Sequence, residues 1–173
     1  MSTISLSDLE FVTRESLASD FKSSGSALPP NTAVVDVRDS DHIGGHIKGS
    51  TWVPSSQLDY KTPELIRTLQ DKEVVIFHCA LSQQRGPSAA LRYLREKERL
   101  CPGSAIESKG EVKEESEAVE KAGDGEHKGP SGTQIKKQKV YVLQGGFTMW
   151  QEKYGQDKNL TEGYEKDVWE FGT

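Results

Sequence analysis

The chain has 173 residues, 34% of them apolar and 28% charged, with a net charge of −5. That length suits one domain with a real core, its longest apolar runs fall far short of a bilayer crossing, and its acidic balance speaks weakly against nucleic acid as a partner. Met1 to Leu6 carry neither the basic segment nor the apolar core of a signal peptide, and two cysteines 22 positions apart are too few for a disulfide framework. The expectation is a soluble chain of a reducing compartment, cytoplasmic or nuclear, able to keep a free thiolate.

Short apolar runs alternate with helical periodicity, which predicts an α/β fold with a mostly parallel sheet and crossover helices. The strands fall at 9–12, 33–37, 51–53, 74–78 and 140–143. Thr13 is placed to cap a helix over 14–23. Thr62, Pro63 and Glu64 read as cap, first-position proline and first-turn acid of a helix reaching about Asp71. Pro87 sits in the first turn of another helix, whose apolar stripe is Ala89, Leu91, Leu94 and Leu100. Gly145-Gly146 predicts a turn into a short helix through Trp150.

Between Gly103 and Gly132 the composition shifts to Glu, Lys, Gly, Ser and Ala, with eight acids against four lysines and no aromatic residue. Such a stretch cannot build a core alone. The expected organisation is one domain over 1–173 with an acidic, largely disordered insertion at 103–137, between the helix after Pro87 and the last core strand.

Cys79-Ala80-Leu81-Ser82-Gln83-Gln84-Arg85 carries the chemistry. It lies between the apolar run Val74 to His78 and Gly86-Pro87, so a thiol and a guanidinium stand at the two ends of one tight loop. Five residues separate them, enough for backbone N–H groups to ring a tetrahedral oxyanion if they turn inward as a nest. Inward amides, the following helix N-terminus and Arg85 would all favour the attacking thiolate and would also bind a dianion, with Arg85 offering two parallel N–H bonds. Cys79 and Arg85 are the catalytic candidates. Ala80, Leu81, Ser82, Gln83, Gln84 and Arg85 are the substrate-binding candidates. The implied step is in-line attack by sulfur on phosphorus, giving a thiophosphate that water hydrolyses. The loop holds no carboxylic acid and no histidine, so the general acid is unassigned; Ser82 is a candidate to orient or stabilise the sulfur.

At these residues the chain resembles the rhodanese-fold phosphatases, the superfamily of the dual-specificity phosphatases that activate cyclin-dependent kinases, together with their arsenate reductase relatives. It is most similar to small single-domain fungal members. Val35-Asp36-Val37-Arg38, Gly44-Gly45-His46-Ile47-Lys48-Gly49 and Val140 to Phe147 with Trp150 are similar to further blocks of that fold. The resemblance implies a rhodanese-like domain, with a central five-stranded sheet flanked by helices, Cys79 as nucleophile and Arg85 as oxyanion binder. Sulfurtransferases of this fold usually have a loop one residue shorter, so the length here points to phosphate or arsenate. Ala80 and Gln84 stand where the cell-cycle enzymes carry acids, and Val37 where they carry a second cysteine, so kinase-directed specificity does not follow. Cys101 would be the only internal resolving thiol.

Other candidates read as structural. Asp36 and Arg38 are expected to pair with each other, and His46 to support the same turn. His42, His46, His78 and Cys79 make a poor metal set because Gly44-Gly45 interrupts it, so no metal and no cofactor are expected. His78 either tunes the thiolate or orients the loop. Trp169 and Phe171 either pack over the core or shape a substrate surface. The leading reading is a cysteine-dependent phosphatase of protein-tyrosine or dual-specificity type, acting on a phosphorylated protein or small oxyanion. The second is arsenate reduction with glutathione and glutaredoxin as external reductant and partner. The third is a non-catalytic phospho-binding module.

Overall fold

The computed structural model describes residues 4–100 and 138–171. The insertion expected at 103–137 and the thiol of Cys101 lie outside the described residues. The chain order is β1 (Glu10–Val12), α1 (Arg14–Ser23), β2 (Thr32–Asp36), β3 (His46–Ile47), β4 (Thr51–Trp52), α2 (Leu58–Thr68), β5 (Val74–His78), α3 (Arg85–Leu100), β6 (Lys139–Leu143), α4 (Gly146–Tyr154), β7 (Thr161–Glu162) and α5 (Lys166–Phe171).

The five expected strands form one sheet in the order β1-β6-β5-β2-β4. Every pairing in it is parallel. Strand residues alternate between two apolar layers. Val35, Val75, Phe77, Val140 and Val142 face α2 and α3, while Val34, Ile76 and Leu143 face α1 and α4. Helices on both faces make the central strands continuous apolar runs, and each fully buried Val, Leu or Phe side chain contributes on the order of 2 kcal/mol. A second, antiparallel pair, β3 with β7, ties His46–Ile47 to Thr161–Glu162; strands of two residues leave no periodicity to read.

α1 starts where expected, with Thr13 Oγ1 accepting from the Ser16 amide at 3.1 Å. α2 corrects the expectation. It begins at Leu58, and Thr62 and Pro63 lie inside it. The buried Leu58 draws the first turn into the core, and the Thr62 hydroxyl donates to the Leu58 carbonyl at 2.6 Å instead of capping. α3 buries Ala89 and Leu94 of the expected stripe and packs Leu91 partly against the core, but Leu100 is exposed, and Ala90, Tyr93 and Lys97 are buried as well. Tyr93 donates to Gln138 Oε1 at 2.7 Å.

Candidate active site

β5 is the middle strand of the sheet, and the candidate loop leaves its carboxyl end, the edge where parallel α/β sheets bind ligands. Cys79 is buried, and its Sγ accepts from the backbone N–H of Ser82 at 3.2 Å and of Gly86 at 3.3 Å. Ser82 reaches this position through a left-handed φ of 57°. Its hydroxyl is buried without a hydrogen-bond partner among the described residues. The amides of Ala80, Leu81, Gln83, Gln84 and Arg85 donate to no described residue, so they are available to an anion at the loop's mouth.

The loop's first two carbonyls are held from behind. Phe147 N donates to Cys79 O and Thr148 N to Ala80 O, both at 3.0 Å, so the free amides of the α4 N-terminus grip the loop. In a trans peptide the N–H points opposite to the C=O, so carbonyls turned back in this way leave the Ala80 and Leu81 N–H groups to face the opposite side. Gly146, at φ 60°, is the residue that permits the approach, since a Cβ there would collide with the carbonyl oxygens of Cys79 and Ala80.

His78 is wholly buried beneath the loop, with Nδ1 3.1 Å from Cys79 O. Burial pushes it below its ordinary value, against the pull of Asp36. Nδ1–H, donating to the Cys79 carbonyl, orients the loop. Asp36 and Arg38 pair as expected: Arg38 Nη2 lies 2.8 Å from Asp36 Oδ2, Nε lies 3.1 Å from both carboxylate oxygens, and both residues are buried. Burial opposes ionisation of Asp36, yet His78 and the Arg38 fork hold its carboxyl below the usual range. Arg38 also donates to Gly45 O at 2.9 Å and stacks over Phe147, 4.4 Å from the ring centroid. This pair is a brace under the site.

Arg85 is one-third exposed at the start of α3 and is bound by two carboxylates that sequence reasoning left without a role. Nη1 and Nη2 donate to Asp41 Oδ1 and Oδ2 at 2.9 and 2.6 Å, and Nη1 also reaches Asp39 Oδ2 at 3.3 Å. The hydrogen bonds from Arg85 hold the Asp41 carboxyl down at about 2, and the same bonds push the guanidinium up. Asp39 and Asp41 follow the Asp36-Val37-Arg38 block directly. Two acids beside a fixed turn were the available signal, but the arginine they serve lies 44 residues on from Asp41.

Of the binding candidates, Leu81, Gln83 and Gln84 are exposed on the loop, Ala80 and Arg85 are half-buried, and Ser82 is buried. His42 stacks on Trp52 at 4.2 Å between centroids, and His46 pairs with Glu162 at 3.0 Å. Among the described residues no three His, Cys, Asp or Glu side chains converge as a metal site. Trp169 packs back against Phe147 and donates to Gly44 O at 2.9 Å, whereas Phe171 is exposed.

Comparison with known proteins agrees with this fold. The sequence profile of the rhodanese-like domain matches residues 18–153. The CDC25-like phosphatase YCH1 of Saccharomyces cerevisiae is 35% identical over 147 residues, covering 79% of this chain and 76% of that protein. Arsenate reductase 2.2 of Oryza sativa is 48% identical over 66 residues, 38% of this chain and 51% of the reductase. The crystal structure of S. cerevisiae Ygr203w, described as a homolog of single-domain rhodanese and the Cdc25 phosphatase catalytic domain, superposes with a TM-score of 0.63 at 29% identity, covering 98% of this chain and 97% of that one. With the profile spanning most of its length and a relative of this identity matched along three-quarters of that relative, the chain belongs to the rhodanese-like domain family.

Proposed function

We propose that the chain is a cysteine-dependent phosphatase of the protein-tyrosine or dual-specificity type. The observation that carries this reading is Cys79 Sγ set at the base of a seven-residue loop, with two backbone N–H groups on the sulfur and Arg85 at the loop's other end. The Cys79 thiolate attacks phosphorus, the P–O bond to the leaving group breaks, and the departing oxygen takes a proton. Water then attacks the thiophosphate and returns the thiolate and inorganic phosphate. Loop amides and Arg85 hold the equatorial oxygens through both steps, which is the dominant stabilising term for such chemistry. The phosphatase relatives YCH1 and ibp1 of Schizosaccharomyces pombe, the latter 32% identical over 139 residues, support the assignment.

The high identity to a rice arsenate reductase across the shared segment favours a second reading. There, Cys79 displaces an oxygen of arsenate, and two external thiols such as glutathione supply the two electrons that release arsenite. One set of assays separates the two. Aryl phosphate hydrolysis is expected to be measurable in the wild type, absent in Cys79→Ser, and reduced about 100-fold or more in Arg85→Lys, whose point charge cannot replace the planar fork. Undiminished turnover in Cys79→Ser overturns the nucleophile. Arsenite formation with glutathione, without aryl phosphate hydrolysis, transfers the site to the second reading.

A further inference from the structure

Resting on the reading of Cys79 and Arg85 as an oxyanion site, we propose that Asp41, backed by Asp39, is a positioning residue that presents Arg85 to the oxyanion. It occupies the end of the guanidinium and leaves one side edge free for two oxygens. A guanidinium has five N–H donors in a fixed plane. The two end-facing hydrogens of Nη1 and Nη2 go to Asp41, and the second Nη1 hydrogen goes to Asp39. What remains is Nε–H and the Nη2 hydrogen beside it, two parallel donors along one edge. No described residue accepts from either. That edge has the fork geometry that pairs with two oxygens of a phosphate or arsenate.

The carboxylates are themselves fixed. Asp41 Oδ1 accepts from the Asp39 amide at 2.8 Å. Asp39 accepts from the Ser55 hydroxyl at 2.5 Å and the Ser56 amide at 3.1 Å, so the cradle is anchored both in the β2–β3 connection and in the turn before α2. An arginine on a free stem loses several rotors when it binds, a cost that weakens affinity. Here the side chain is ordered before the anion arrives. Both carboxyls sit below their ordinary range, so the pairing persists throughout the neutral pH range. Positioning also agrees with the exposure of Arg85, which is held at one end and open at one side.

The test uses the full chain labelled with ¹⁵N, and tungstate as a stable tetrahedral dianion. In the wild type, the Arg85 Nη resonances are expected to be resolved, because the Asp41 bonds block rotation, and Nε–H is expected to shift on titration with tungstate. In Asp41→Asn, an oxygen remains for the Asp39 amide, so the turn survives. The Nη resonances should then average and the tungstate Kd should weaken on the order of tenfold, with the melting temperature unchanged. Asp41→Glu, which returns a carboxylate, should recover part of the affinity, a rescue that a purely structural role would not give. If Asp41→Asn does not fold, Ser55→Ala loosens Asp39 alone and is expected to weaken tungstate about twofold to threefold. Unchanged or tighter tungstate binding in these variants overturns the proposal, and tighter binding would make Asp41 a competitor of the substrate. A wild-type protein that ignores tungstate while its Nη resonances stay resolved overturns the oxyanion reading itself, an outcome distinct from failure of the Arg85–Asp41 pairing.

Discussion

Gly146 shows how much of the site depends on one missing methyl group. Its left-handed φ of 60° and its contact with the Cys79 and Ala80 carbonyls bring the first turn of α4 against the loop. Gly146→Ala must move either the helix or the loop. The expected outcome is a loss of about 2 kcal/mol in urea unfolding, from positive φ and collision together, and a larger fractional loss of aryl phosphate turnover at temperatures where the variant stays folded. Turnover that merely tracks the folded fraction would show that α4 supports the fold and not the loop geometry. The proposed catalytic pair was legible in the sequence because Cys79 and Arg85 share one loop, where spacing alone fixes proximity. The supports were not. Gly145-Gly146 reads correctly as a turn, but its reason lies 67 residues earlier at Cys79, and the partner of Asp41 is set by tertiary folding.

Among the elements, strands were easier to place than helix starts. β5 and β6 are buried on both faces, so their apolar runs stand out, and the parallel order follows from the helices between them. α2 was misread because Thr-Pro-Glu looks like a helix start wherever it occurs, while burial of Leu58 moved the true start four residues upstream of Thr62. This has a measurable result. Pro63 inside the helix cannot donate to the Asp59 carbonyl one turn back. Pro63→Ala should therefore raise stability by about 1 kcal/mol, because the recovered bond and the relieved ring contact outweigh the added freedom of the unfolded chain. A lower urea midpoint would mean that the proline sets the bend of α2 and that its removal costs packing.

For the molecule as a whole, the buried titratable groups give stability a definite pH dependence. Burial holds His78 and His42 below the ordinary histidine value, so the unfolded chain takes up protons that the folded chain refuses once pH falls below about 6.5. Each contributes a slope of up to about 1.4 kcal/mol per pH unit until its folded value is reached. Asp36, Asp39 and Asp41 lie below the ordinary carboxylate range. Their contribution is full above about pH 4 and is lost as pH falls further, for Asp41 toward about 2. Urea midpoints should be level between about pH 7 and 8, decline on acidification through about pH 6, and fall faster below about pH 4. A midpoint unchanged from about pH 7 to 5 would mean that the two histidines take up protons in the folded state as readily as in the unfolded one.

The place of β5 in the middle of the sheet also bears on durability. Its backbone is paired on both sides, with β2 through five residues and with β6 through four, so its amides open only with the domain. The sulfur at its end is therefore as persistent as the fold. The acids that hold Arg85 sit on the connection beyond β2 and against the turn after the two-residue edge strand β4, a margin with few ladder bonds to break. Under mild denaturation the two ends of the loop are expected to part company in time: the support of Arg85 fails first, while Cys79 keeps its place until the sheet itself comes apart.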